Sequence, residues 1–140
     1  MRINNRVSTA SSKPRVPRVS EAHVQQTVTD LLVADGWRAI RTDPVSDRGR
    51  GKGFGELGMP DYLYIRYWDL SGPESDVLWI EFKALGKKPK PRQAAWHVAE
   101  RARGATVLVI DDIDFFMDWY ATSGLARKVL KRGTKSKESR

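Results

Sequence analysis

The chain has no cysteine, which excludes a disulfide framework and thiolate metal centres and fits a reducing compartment. It has two histidines, His23 and His97, each a solvated helix residue on this reading. With no second ligand beside either, they argue against zinc and against a histidine-metal nuclease site. No run of eighteen apolar residues and no signal-peptide pattern is found, so the expectation is a soluble, cytoplasmic protein with no membrane partner. No internal repeat appears. The glycine-rich stretch lacks the Gly-Lys-Ser/Thr of a Walker loop and does not fit G-x-G-x-x-G after a strand.

Acidic residues are also missing from the ends. Residues 1–19 hold five Lys and Arg and no acidic residue, and residues 127–140 hold seven against one Glu, so the ends carry +11 and the stretch between them −3. The division expected is a basic disordered N-terminal tail (1–19), one folded domain (20–126) and a basic C-terminal tail (127–140). A basic chain with an acidic centre suits an enzyme whose carboxylates hold a metal while cationic segments meet phosphates.

The acidic centre is most informative between residues 58 and 86. PDYLYIRYW (60–68) and VLWIEFKA (77–84) read as strands, and the connection of about eight residues between them carries turn formers that fold them into an antiparallel hairpin. Glu81 and Lys83 interrupt the second strand. Alternation puts them on one face roughly 7 Å apart, with Phe82 in the opposite layer. Asp61 opens the first strand, within reach of Glu81. Paired carboxylates suit a hard cation such as Mg²⁺, and an adjacent lysine can stabilise developing negative charge or position a water.

Asp61 followed by Glu81-Phe82-Lys83 resembles the PD-(D/E)XK nuclease signature. Within that superfamily the chain is similar to the virus-type replication-repair nuclease, or VRR-NUC, domain, whose members include small phage proteins resembling Holliday junction resolvases. The similarity runs over about residues 20 to 112 and takes in Glu21 opening the first helix, Gly58 to Asp61, Ile80 to Lys83, and Gln93 beginning a later helix. The resemblance implies a restriction-endonuclease-like α/β fold, an αβββαβ core with a central mixed sheet flanked by helices. It implies Mg²⁺- or Mn²⁺-dependent DNA cleavage, with Asp61, Glu81, the Phe82 carbonyl and Glu21 at the metal, Lys83 at the water and phosphate, and Gln93 near the scissile phosphate. Branched DNA is the implied substrate, a homodimer the implied assembly, and host cytoplasm the setting if the chain is phage-encoded. Family members commonly carry an Asn-x-Gly-like segment where this chain has Thr42-Asp43-Pro44, and no role is carried over there.

The remaining elements follow from periodicity. Ser20 caps a helix with Val24, Val28, Leu31 and Leu32 inward and Gly36 just past its end, and residues 37–42 form a first strand. The long loop after it interleaves Arg48, Arg50 and Lys52 with glycines, as phosphate-contacting backbone would, and Lys87, Lys88, Lys90 and Arg92 form a second basic connection. A helix from Gln93 to Arg103 is expected to turn Ala95, Trp96, Ala99 and Ala102 inward and Gln93, His97, Glu100 and Arg101 outward. Residues 105–110, almost wholly apolar, read as a central strand. Asp111 and Asp112 read as caps of a last helix, whose Ile113, Phe116, Met117 and Tyr120 form the apolar face and whose Phe115 and Trp119 leave aromatic surface for a partner.

Overall fold

The structure, a computed structural model, describes residues 19–42, 55–68, 72 and 74–127. Ser20 has extended backbone angles and its side chain accepts from the His23 N–H, so helix α1 (Glu21–Ala34) begins where a side-chain cap satisfies a free amide. It ends at Asp35, and Gly36 takes the left-handed conformation (φ +93°) that turns the chain into strand β1 (Arg38–Arg41). Strands β2 (Tyr62–Tyr67) and β3 (Ser75–Phe82) pair antiparallel as a hairpin, and β1 pairs antiparallel with β2. Helix α2 (Pro91–Ala102) carries the chain over to β4 (Thr106–Ile110), which runs parallel to β3, and helix α3 (Ile113–Thr122) follows. The sheet order β1-β2-β3-β4 is therefore mixed, and the element order is αβββαβα.

Alternation along the strands sorts the side chains into two layers. Tyr64, Leu78, Ile80, Phe82 and Ile110 face α1 and α3, where they meet Val24, Val28, Leu32, Phe116 and Tyr120 in the main core. Trp79 and Glu81 face the other way, toward α2. The odd positions of β3 thus carry the site while the even ones carry the fold.

Four sequence expectations are corrected. Strand β4 lies at an edge among the described strands, not at the centre; its apolarity comes from helices packed on both faces, and the Arg101 guanidinium donates to the Val107 carbonyl at 2.7 and 3.0 Å. That contact occupies an outward strand carbonyl otherwise open to pairing. Helix α2 is turned the opposite way from the alanine stripe. Ala95, Ala99 and Ala102 are exposed, whereas His97 is buried and Gln93, Trp96 and Glu100 are partly so. Alanines bury little area each, and the ring contacts of Trp96 with Trp79 and His97 outweigh them. Met117 is 41% exposed and so lies off the apolar face of α3. Of the two caps, Asp112 caps α3, accepting from the Asp114 N–H, whereas Asp111 accepts from the Gly86 N–H and ties down the turn after β3.

Arg66 is the polar residue that periodicity did not single out. It is 1% exposed and pairs with Asp35 (3.2 Å) and Asp76 (3.0 Å), donates to the Leu125 carbonyl, and lies over the rings of Trp37 and Trp68. A guanidinium suits this setting because it stays charged, forks between acceptors and stacks on aromatic faces. Tyr120 donates to Asp35 and accepts from Trp37, so α3, the turn after α1 and the hairpin close around one cation.

Candidate active site

The β2–β3 register pairs Tyr62 with Ile80, and one step further along the same ladder places Asp61 opposite Glu81. Cross-strand neighbours have Cβ atoms about 5 Å apart. The Thr42 N–H donates to the Asp61 carbonyl at 2.9 Å and the Thr42 hydroxyl donates to the Pro60 carbonyl, which fixes the backbone leading into Asp61. Gly58 sits at φ +82°, and a Cβ there would stand 2.5 Å from the Arg92 carbonyl oxygen and 3.2 Å from Trp96 Cβ. Only glycine lets this segment run so closely against the first turn of α2. Trp96 Nε1 donates to Glu56 Oε2 at 2.9 Å and holds the same approach from outside.

Glu81 is 1% exposed. Its Oε1 accepts from Gln93 Nε2 at 2.7 Å and lies 3.1 Å from Lys83 Nζ, while its Oε2, equally shut off from solvent, has no hydrogen-bond partner among the described residues. Burial raises the Glu81 carboxyl above its ordinary value and the Asp61 charge adds to this, against the opposing pull of Lys83 and the Asp61 backbone amide. Burial likewise raises Asp61, with Lys83 and then Arg41 acting in the other direction. Two carboxylates held together in a poorly solvated place, one with an orphaned oxygen, form a donor set that a divalent cation would satisfy. On that ground Asp61 and Glu81 fit the implied Mg²⁺ or Mn²⁺.

Asp61, Glu81, Lys83 and Gln93 are thus brought to one end of the sheet. The Lys83 N–H donates to the Ile110 carbonyl, continuing the parallel ladder so that the ammonium is carried by a fixed strand end. Glu21 is exposed in the first turn of α1, and among the described residues no three His, Cys, Asp or Glu side chains form a metal-binding group. One turn further on, Gln25 donates to the Tyr62 hydroxyl, so the start of α1 faces the strand that Asp61 opens. Lys87, Lys88, Lys90 and Arg92 are exposed on the connection into α2. Arg48, Arg50 and Lys52 lie outside the described residues, as does most of each basic tail.

His97, expected on the solvated face, is 2% exposed and its Nε2 has no hydrogen-bond partner among the described residues. Burial, then Arg101 and Lys83, lower its pKa to about 4. It is therefore a neutral group packed beneath α2. Sequence reasoning missed Arg41, which ends β1 and lies within electrostatic range of Asp61. The strand was legible, but the end of it that meets Asp61 is a matter of register.

A solved structure described as a VRR_NUC domain superposes with a TM-score of 0.54 at 26% sequence identity, covering 73% of this chain and 95% of that one. The chain has a VRR-NUC fold. No family model matches the sequence, and no curated protein does. The VRR-NUC fold accounts for the mixed four-stranded sheet and three helices found among the described residues, and it places the chain in a nuclease-type class of domain.

Proposed function

We propose that this VRR-NUC protein is a Mg²⁺- or Mn²⁺-dependent endonuclease that hydrolyses DNA phosphodiester bonds, with branched DNA such as a four-way junction as its substrate. The observation that carries the reading is the orphaned, buried Oε2 of Glu81 opposite Asp61, beside a lysine already paired to the other oxygen. Asp61, Glu81 and the Phe82 carbonyl would hold the cation, with Glu21 contributing from the start of α1. When bound, the cation supplies charge stabilisation and lowers the pKa of an attacking water. Lys83 offsets negative charge on the phosphate and positions the water; its side chain is 17% exposed, so the ammonium is supported by Glu81 yet open to substrate. Gln93 holds Glu81 in orientation. Lys87, Lys88, Lys90 and Arg92, with Arg48, Arg50 and Lys52 of the glycine-rich loop, take neighbouring phosphates. A homodimer through the α3 surface, where Phe115 is 55% exposed, would present two such sites to a junction.

The test is cleavage of a labelled four-way junction and a matched linear duplex with Mg²⁺, Mn²⁺ or EDTA, with Lys83→Ala alongside. Paired symmetrical cuts in the junction alone, lost in EDTA and lowered at least about 100-fold in Lys83→Ala, are expected. Cuts in linear or other branched DNA keep the nuclease and remove the junction preference. DNA that is bound and uncut under every metal condition identifies a non-cleaving DNA-binding module instead.

A further inference from the structure

Leu85 is 64% exposed and belongs neither to the main core nor to the partly buried side chains packed on it. It does not sit on a loose loop. The Lys87 N–H donates to the Ala84 carbonyl at 2.9 Å and Gly86 takes a left-handed φ of +76°, so residues 84–87 close a tight turn with glycine third and Leu85 at the corner. Both sides of that corner are tied to the end of β4. The Lys83 N–H donates to the Ile110 carbonyl at 3.0 Å, and the Gly86 N–H donates to Asp111 Oδ2 at 3.0 Å. The leucine is thus held out on a fixed backbone.

The corner stands at the end of the sheet that carries the carboxylates. Two residues of chain span at most about 7 Å, so the Leu85 Cα lies that close to the Lys83 Cα, on the order of two base steps along a DNA strand. Lys87 and Lys88 follow it and are exposed, as phosphate-contacting groups would be. Single exposed apolar side chains are ordinary on a protein surface, and Val98, 65% exposed on the outer face of α2, is one of them. Leu85 differs in being pinned at a corner, among cations, beside the candidate centre. An apolar group there has nothing to offer a phosphate, whereas it matches the faces of bases, which apolar side chains enter as wedges. We propose that Leu85 is a wedge residue that packs against the open base-pair face at a branch point while the neighbouring phosphate lies at Asp61, Glu81 and Lys83. This rests on the nuclease reading and gives it a source of substrate preference. In a linear duplex the leucine has to part a continuous stack, but at a branch the stack is already interrupted, so it is buried without that cost. The fixed turn adds little ordering cost of its own.

The experiment compares the full-length wild type, Leu85→Ala, Leu85→Met and Val98→Ala. Val98→Ala removes an equally exposed apolar side chain away from the site. Anisotropy in EDTA gives the affinity and salt slope for a fluorescein-labelled four-way junction and a matched duplex, and 2-aminopurine at the branch point reports unstacking in the same complexes. Mg²⁺-dependent cleavage is measured separately. Wild type is expected to raise the 2-aminopurine fluorescence of the junction. Leu85→Ala is expected to lose that rise and to weaken junction binding and cleavage by about tenfold. Its duplex affinity and salt slope stay those of wild type, because leucine releases no counterions. Leu85→Met keeps the rise, and Val98→Ala behaves as wild type throughout. A wild type that cuts the junction while Leu85→Ala matches Val98→Ala in fluorescence and junction affinity overturns the Leu85 assignment alone. A wild type that binds and cuts nothing, yet shows the Leu85-dependent rise, overturns the nuclease reading and leaves the wedge standing as a DNA contact. A wild type that binds neither DNA overturns both.

Discussion

Gln93 donates its amide to Glu81 Oε1 at 2.7 Å, and its own carbonyl accepts from the Lys90 N–H at 2.9 Å. The side chain that completes the N-terminal cap of α2 is therefore the one that orients the buried carboxylate, and setting the helix start sets which oxygen of Glu81 stays free. On the proposed function, Gln93 would act on the metal through Glu81. Gln93→Ala is expected to weaken metal affinity and cleavage by about 10- to 100-fold, as loss of groups that orient metal ligands does. Calorimetric Mg²⁺ binding and the Mg²⁺ dependence of cleavage test this. Unchanged metal affinity with a raised KM would move Gln93 to the substrate.

The raised carboxyls of Asp61 and Glu81 make a statement about pH. A carboxyl whose pKa is higher in the folded than in the unfolded chain favours folding below the unfolded value, and that contribution is lost as pH rises through the folded value. Without metal, the ionised pair therefore destabilises the protein at neutral pH. Asp61→Asn removes one charge and is expected to melt higher than the wild type at pH 8 without metal, with the gap closing toward pH 4 (about the unfolded carboxyl value). Mg²⁺ is expected to raise the melting temperature of the wild type and not of the variant. Equal melting temperatures of the two proteins at both pH values would contradict the mutual repulsion.

His97 works in the opposite direction. Its pKa is depressed from 6.5 to about 4, so its stability contribution is present above 6.5 and is lost as pH falls through about 4. His97→Leu is expected to flatten the acid limb of the stability curve in that window, measured by denaturant unfolding at stepped pH. An unchanged limb would place the protonation elsewhere.

Arg66 neutralises Asp35 and Asp76 inside the fold. Arg66→Leu leaves both carboxylates without their cation, and a loss of about 3–5 kcal/mol is expected. Arg66→Lys is also expected to destabilise, because an ammonium cannot fork between these acceptors and stack on Trp37 and Trp68 as a guanidinium does. Denaturant unfolding followed by the fluorescence of those tryptophans measures it, and a loss below about 1 kcal/mol, the scale of a surface ion pair, would contradict a buried network.

The sequence by itself determined the local structure and which side chains gather at the end of the hairpin. The period of α1 and its Ser20 cap, the two hairpin strands, the α2 and α3 helices and the Asp61, Glu81 and Lys83 constellation were all legible, because each depends on spacing along a few residues. Only the tertiary structure decided the contacts that depend on register and on helix rotation. It placed β4 at an edge among the described strands, turned His97 and Gln93 inward where an alanine stripe pointed the other way, gathered Arg66 between two aspartates from distant segments, and tied Thr42 at the end of β1 to the Asp61 carbonyl. The physical reason is the same in each case. Which face of a helix is buried, and which strand end meets which, is decided by the free energy of the whole packed arrangement, to which large rings and paired charges from far along the chain contribute more than local hydropathy does.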